Sequence, residues 1–285
     1  MASNFSRGRT TVEIYVRGNP TERIKELLNF GIPYELYYSS STARLVTQYE
    51  KRIYAESRIT KKELILRNQI KKDINERVER VTRDERPAHY FRWAKKLGYM
   101  DLQPDEVIRV EDVYEVDLVS AYYHAAAKLG YLSPEFFEKT KTLPKPIRLR
   151  LLGSIATRKQ YETFDGEEFQ TWVEQDDKMR AVWHNIVCYV DDVMQEMAEY
   201  LGDRFLWYWV DGIYFTTFGE HDISATLVEQ IAKKNSFEVT KKKLKCIEIR
   251  KVDKYMEGRV YDDKGMRIFT LSPTKIRNFH ADIKL

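Results

Sequence analysis

Glu115-Val116-Asp117-Leu118-Val119-Ser120-Ala121-Tyr122-Tyr123 is the stretch around which this 285-residue chain is organised. The residues ahead of Asp117 (Ile108, Val110, Val113, Tyr114, Val116) are β-prone and partly alternate, which places Asp117 at the end of a strand. Ser120 stands where a helix N-cap belongs. The helix it opens begins at about Ala121, continues through Leu129 and is stopped by Gly130. A carboxylate at a strand end, beside backbone that turns sharply away, is one way to present a metal ligand. Taken alone, Asp117 reads as a surface residue closing a strand. A second strand-borne carboxylate downstream, Asp211, turns the reading toward chemistry.

Asp211 falls in Arg204-Phe205-Leu206-Trp207-Tyr208-Trp209-Val210-Asp211-Gly212-Ile213-Tyr214-Phe215-Thr216-Thr217. These are two apolar β-runs joined at Val210-Asp211-Gly212, the strongest short-range hairpin signal in the chain. Ahead of it, Val182, Ile186, Tyr189, Val190, Val193, Met197 and Tyr200 give helical periodicity over 178–201, with Gly202 as its stop. After it come a helix over 223–233, strands over 237–240 and 246–252, and a hairpin turning at Asp262-Asp263-Lys264-Gly265.

Between the two carboxylates lies a helical excursion. Ser133-Pro134-Glu135 caps one short helix, Leu143-Pro144-Lys145-Pro146 turns the chain, and a second helix runs from Ile147 to Arg158. Spacing puts Lys145, Arg148 and Leu152 on one face. The segment 165–177 is acidic and polar, and Asp165-Gly166-Glu167 within it reads as a solvated loop.

Toward the N-terminus, 10–16 reads as a strand, 20–28 as a short helix and 32–38 as extended and tyrosine-rich. From about Ser41 the chain reads as helical and highly charged, with an apolar stripe Leu66, Ile70, Ile74, Val78, Val81. Between Lys51 and Asp84 eleven Lys and Arg stand against six Asp and Glu, so this region reads as a solvated face or a phosphate-contacting grip. A boundary near 105 divides an N-terminal strand plus charged helical region, 1–105, from a second domain, 106–285, with its insertion at about 132–180.

Composition narrows the classes. No run reaches the ~18 apolar residues a membrane span needs, and there is no signal-peptide core, so a soluble, intracellular (cytoplasmic) protein without a membrane partner is expected. Cys188 and Cys246 lack the spacing of a zinc site or disulfide framework and read as core thiols. The five histidines are scattered and form no ligand pair. A net charge of only +4 means that nucleic-acid binding has to be argued from local patches.

At these residues the chain resembles the family B DNA polymerases. Their first motif, Asp-x-x-Ser-Leu-Tyr-Pro, is matched by Asp117-Leu118-Val119-Ser120-Ala121-Tyr122-Tyr123, with Tyr123 in place of Pro. Their third, Tyr-Gly-Asp-Thr-Asp-Ser, is matched in Trp207–Gly212 only at its second Asp, as Asp211, with Trp209 in place of the first. Gly153-Ser154 resembles the Asn-Ser of the fingers motif; the lysine position then falls on Leu149, between Arg148 and Arg150. Val252-Asp253-Lys254-Tyr255 resembles the late primer-contacting element.

The resemblance covers about 111–258. It implies an α+β palm, an antiparallel sheet with packed helices, carrying a short helical fingers insertion. It implies a DNA polymerase that adds deoxynucleotides to a primer 3′-hydroxyl with two Mg²⁺ (or Mn²⁺) ions. Asp117, Asp211 and the Leu118 carbonyl would bind metal. Arg148 and Lys145 would hold the triphosphate, Ser120 would join the nucleotide site, and Tyr122 would gate the sugar. Lys254 and Tyr255 would lie near the primer end. Primer-template DNA and dNTPs are the implied partners, with a processivity or replication partner compensating for the small size. There is no room for a 3′–5′ exonuclease domain, which suggests a virus or mobile element.

Two other readings compete. Tyr189-Val190-Asp191-Asp192 has the letters of a reverse-transcriptase motif, but that motif needs a strand-turn-strand, and helical periodicity runs through it with both Asp on or near the solvated side. The missing hairpin Asp and the degraded fingers motif also suit an inactive, nucleic-acid-binding scaffold. Two retained strand-end carboxylates argue against that, because like charges held close together repel.

Overall fold

Among the described residues, local sequence patterns build an α+β arrangement of two antiparallel-rich sheets and seven helices. The computed structural model describes residues 12–38, 42–55, 61–86, 91–93, 106–156, 159–218, 222–252 and 255–271. In chain order come β1 (Val12–Arg17), α1 (Thr21–Asn29), β2 (Tyr34–Tyr38), β3 (Thr42–Val46), β4 (Glu50–Ala55), α2 (Lys61–Arg77) and β5 (Phe91–Trp93). Then follow β6 (Val107–Leu118), α3 (Ala121–Lys128), α4 (Pro134–Thr140), α5 (Lys145–Gly153), β7 (Lys159–Phe164), β8 (Phe169–Glu174) and α6 (Asp177–Leu201). The chain ends in β9 (Phe205–Trp209), β10 (Gly212–Thr216), α7 (Ser224–Lys234), β11 (Val239–Val252), β12 (Tyr255–Asp262) and β13 (Gly265–Leu271). It divides into two compact units, residues 1–82 with 131–183, and residues 83–130 with 184–285.

In the first unit six strands run in the order β1-β4-β3-β2-β7-β8, antiparallel except for the β1–β4 pair. Leu27 of α1 packs with Tyr34, Leu36, Ala43, Leu45, Tyr54 and Phe164 on one face of this sheet. Burial of each large member contributes about 1.5–3 kcal/mol.

Two expectations fail in this unit. The region after Ser41 is not helical at first: it forms β3 and β4, and α2 starts only at Lys61. The period is two, with Ala43 and Leu45 buried while Arg44 points outward, so charges read as a helix surface lie on the other face of a sheet. In α2 the stripe Leu66, Ile70, Ile74 is buried as its spacing predicts. The second failure is the helix expected from Ile147 to Arg158. α5 stops at Gly153, and β7 and β8 then pair as a hairpin through aromatic partners, Tyr161 opposite Trp172 and Phe164 opposite Phe169. Asp165-Gly166-Glu167 is its turn. The Asp165 carboxylate accepts from the Glu167 and Glu168 amides, both at 2.9 Å, and Gly166 takes φ 115°.

The second unit holds a seven-stranded sheet in the order β13-β12-β11-β6-β10-β9-β5, with every neighbour antiparallel. With α3, α4, α5, β7 and β8 intervening after β6, the elements β6, α6, β9, β10, α7 and β11 follow in a β-α-β-β-α-β order in which β10 inserts between β6 and β9. β6 is therefore central, flanked by β10 and β11. Ile186, Val190, Val193 and Met197 of α6 are buried, and α7 packs on β6 and β11. The two strands expected over 237–240 and 246–252 are one, β11: Lys241, Lys242 and Lys243 stay in the ladder opposite β6. Among the described residues no helix is long and apolar enough to cross a membrane.

Candidate active site

β6 carries Asp117, and the turn between β9 and β10 carries Asp211, one residue ahead of the β10 residue paired with Asp117. Asp117 stands opposite Gly212 on β10 and opposite Thr240 on β11. Where β6 ends, the Leu118 amide donates to the Asp211 carbonyl at 2.8 Å, and the Val119 amide donates to the Glu238 carbonyl at 2.8 Å. The hairpin expected at Val210-Asp211-Gly212 forms between β9 and β10. A Cβ built on Gly212 would stand 3.4 Å from Asp117 Oδ1, so the bare glycine lets this carboxylate lie close against β10.

Both connections carry backbone that L residues adopt at a cost. Val210, just ahead of Asp211, has φ 58°, although its branched Cβ makes the left-handed region unfavourable. Ser120 has φ 53° and its side chain makes no cap bond, so the expected N-cap role passes to backbone: its carbonyl accepts from the Tyr123 and His124 amides at 2.9 and 3.1 Å. In α3, Ala121, Tyr123, Ala125 and Ala126 are buried while Tyr122 is half-buried.

Two residues back along β6, on the face shared with Asp117, Glu115 anchors a polar cluster. Its carboxylate accepts from the Tyr214 hydroxyl at 2.7 Å and from both terminal nitrogens of Arg267 at 3.1 and 2.6 Å. Burial first, then the Glu115 charge and its hydrogen bond, with Asp117 adding to them, push the Tyr214 hydroxyl far above its usual range, so it stays protonated. Sequence reasoning missed Glu115, Tyr214 and Arg267. The period-two offset of Glu115 from Asp117 was the available signal.

Asp191 and Asp192 lie within α6, so no strand-turn-strand forms there. Asp192 is partly exposed and pairs with Arg86 at 2.7 Å. Asp191, expected near the solvated side, is buried instead, at 5% exposure. It accepts from the fully buried Tyr208 hydroxyl at 2.6 Å and from Gln195 Nε2 at 2.9 Å. A polar residue at the margin of the apolar stripe is satisfied by a tyrosine from β9, which periodicity alone does not reveal.

The remaining predicted residues belong elsewhere. Lys145 and Arg148 are on α5 in the first unit. Lys145 is exposed in the first turn, and Arg148 Nε donates to the Leu143 carbonyl at 2.9 Å. Its neighbour Arg150 is held by the buried Glu63 at 2.7 and 3.0 Å, docking α5 on α2. Lys254 lies outside the described residues, and of Tyr255 only the backbone is described, opposite Val252 at the start of β12.

Among the described residues no group of three or more His, Cys, Asp or Glu is placed to hold a metal ion. The ligands that the resemblance implies, Asp117, Asp211 and the Leu118 carbonyl, are all oxygen donors, the type that a hard divalent cation takes. Cys188 and Cys246 are buried free thiols, and burial raises the Cys188 thiol to about 11, leaving it a core residue. No family model matches the chain, and no curated protein is significantly similar to it.

Proposed function

We propose that this chain is a template-directed DNA polymerase without proofreading, built on a palm with a fingers-like insertion. One observation carries the reading: Asp117, next to last on β6, pairs with Gly212 at the start of β10, and the turn residue just ahead of it, Asp211, accepts from the Leu118 amide through its carbonyl. The β-α-β-β-α-β series is the element order of a polymerase palm, and it agrees with the motif resemblance at Asp117, Ser120, Tyr122 and Asp211.

Two Mg²⁺ ions would activate the primer 3′-hydroxyl and stabilise the leaving pyrophosphate. Asp117 and Asp211 would bind them, with the Leu118 carbonyl assisting. Tyr122, at the start of α3, would stand where a ribose 2′-hydroxyl needs space. Ser120 would present its left-handed backbone to the nucleotide. By the same resemblance Lys145 and Arg148 would supply charge to the triphosphate, and Lys254 and Tyr255 would meet the primer end.

The test is extension of a labelled primer on a DNA template. Asp117→Ala and Asp211→Ala should each cost about a thousand-fold or more, the scale of losing several kcal/mol of transition-state stabilisation. Tyr122→Ala should keep activity and admit ribonucleotides. Retained extension in either aspartate variant would refute the reading.

One observation favours a second reading. Trp209 occupies the hairpin position where the family carries its first Asp, as a scaffold that has lost catalysis would allow. Silent wild-type protein that still binds primer-template, on every priming scheme tried, would select it.

A further inference from the structure

The face of the six-stranded sheet away from its core carries one continuous row of side chains. Tyr15 on β1, Ile53 on β4, Arg44 on β3, Tyr37 on β2, Tyr161 on β7 and Trp172 on β8 stand opposite one another, strand by strand. Tyr37 and Tyr161 meet edge to face with ring centres 5.1 Å apart, and Tyr161 and Trp172 stack at 5.3 Å and 3°. The Arg44 guanidinium lies over the Tyr37 ring, 5.4 Å from its centre. The row is accessible at both ends, with Tyr15 61% and Trp172 48% exposed. Tyr37, Tyr161 and Trp172 form a continuous, partly exposed aromatic run, with Tyr15 set apart from it by Ile53 and Arg44, and an exposed apolar patch marks an interaction surface more often than an idle one.

Charge on the same face points to the kind of partner. Arg17, Arg44, Lys51 and Lys159 stand in the row or beside it, against Glu13, Glu35 and Glu174. Lys51 pairs with Glu13, and Lys159 with Glu174 at 3.2 Å. Lys71 of α2 adds a cation close to Lys159: burial and then the Lys159 charge lower its pKa. The whole unit carries 25 Lys and Arg against 19 Asp and Glu, so it holds +6 where the entire chain holds +4. Rings interleaved with an excess of cations suit a polyanion that also presents flat apolar faces.

We propose that this face binds single-stranded DNA, with bases stacked on the aromatic row and phosphates along its cations. Five interstrand gaps of about 4.8 Å make a track of about 24 Å, room for about four nucleotides, the lower end of known single-strand sites. Stacking on rings reads no base edge, so binding is indifferent to sequence. An added protein strand would pair with the β8 edge and leave Tyr15, at the far side of the sheet, without a role. The choice of DNA over RNA rests on the proposed polymerase reading. Binding itself needs no catalysis.

The experiment uses the full chain and a fluorescein-labelled oligothymidylate of about 12 nucleotides, read by anisotropy in EDTA, with an oligouridylate in a parallel arm. Tyr15→Ala and Trp172→Ala should each weaken DNA binding about ten-fold, while Trp172→Phe, which keeps a ring, retains it. Arg44→Ala should weaken binding and lower the slope of log affinity against log salt by about one. Both aromatic residues are exposed, so unchanged circular dichroism is expected in all variants. Asp117→Ala should bind as the wild type does, so a failed polymerase reading and a failed platform are told apart. Wild-type affinity in both Tyr15→Ala and Trp172→Ala, no binding by the wild type, or about ten-fold tighter binding of the RNA arm would each overturn the proposal.

Discussion

The Leu118 amide donates to the Asp211 carbonyl at 2.8 Å, tying the residue after one candidate carboxylate to the backbone of the other. Because β6 lies between β10 and β11, Asp117 is braced from both sides. The proposed site would thus rest on a central strand and a tight hairpin turn bonded to it, and not on a long free loop.

Gly212 gives a prediction in which stability and activity move in opposite directions. Alanine there adds a methyl 3.4 Å from Asp117 Oδ1. It also removes the entropy cost of a strand glycine, worth about 0.5 kcal/mol. Gly212→Ala should melt at the wild-type temperature or slightly above, yet extend primers about ten-fold more slowly, since the methyl crowds the Asp117 carboxylate that the proposed site uses. Full activity would show that this carboxylate face is not used.

Val210 holds φ 58°, which costs an L residue about 1–2 kcal/mol. Asparagine tolerates that region far better, so Val210→Asn should raise unfolding stability by about 1 kcal/mol in a denaturant titration. A drop in stability would mean that the valine side chain contributes more by packing than its backbone costs.

Tyr208→Phe deletes the hydroxyl that the buried Asp191 carboxylate accepts at 2.6 Å. The cost should be about 1–3 kcal/mol, that of an under-satisfied buried group. A double-mutant cycle with Asp191→Asn isolates the pair; additive effects would contradict a direct interaction.

His184 is buried, and its Nε2 lies 3.0 Å from the Arg86 carbonyl. Burial, then the Arg83 charge, depresses its pKa below the ordinary 6.5. The unfolded chain therefore takes up a proton that the folded chain refuses. This contribution is neutral above about 6.5 and turns destabilising as pH falls from there toward the folded pKa. His184→Gln should flatten the stability–pH curve in that window. An unchanged slope would place the titrating group elsewhere.

Much of the second unit was legible because its signals are local. The strand end at Asp117, the helix running to Leu201 and the hairpin at Val210-Asp211-Gly212 all form as their periodicity and turn residues predict. What failed was long-range. β3 and β4 read as a charged helix because Arg44, Glu50, Lys51 and Arg52 are charged and Ala43 and Leu45 are helix formers; pairing of β3 with β2 and β4 overrides that propensity. The β7–β8 hairpin was hidden because β8 is exposed along its whole length, so burial gives it no alternation. The Glu115–Tyr214–Arg267 cluster joins residues as much as 152 positions apart, and no window along the chain contains it.

The most direct test of the account is primer extension on a DNA template with dNTPs and Mg²⁺, comparing the wild type with Asp117→Ala, Asp211→Ala and Asp192→Ala, the last altering an exposed side chain on α6. Extension is expected from the wild type and from Asp192→Ala, with none detectable in the other two although both remain folded. Extension that survives in Asp117→Ala or Asp211→Ala, or that is lost only in Asp192→Ala, would contradict the account.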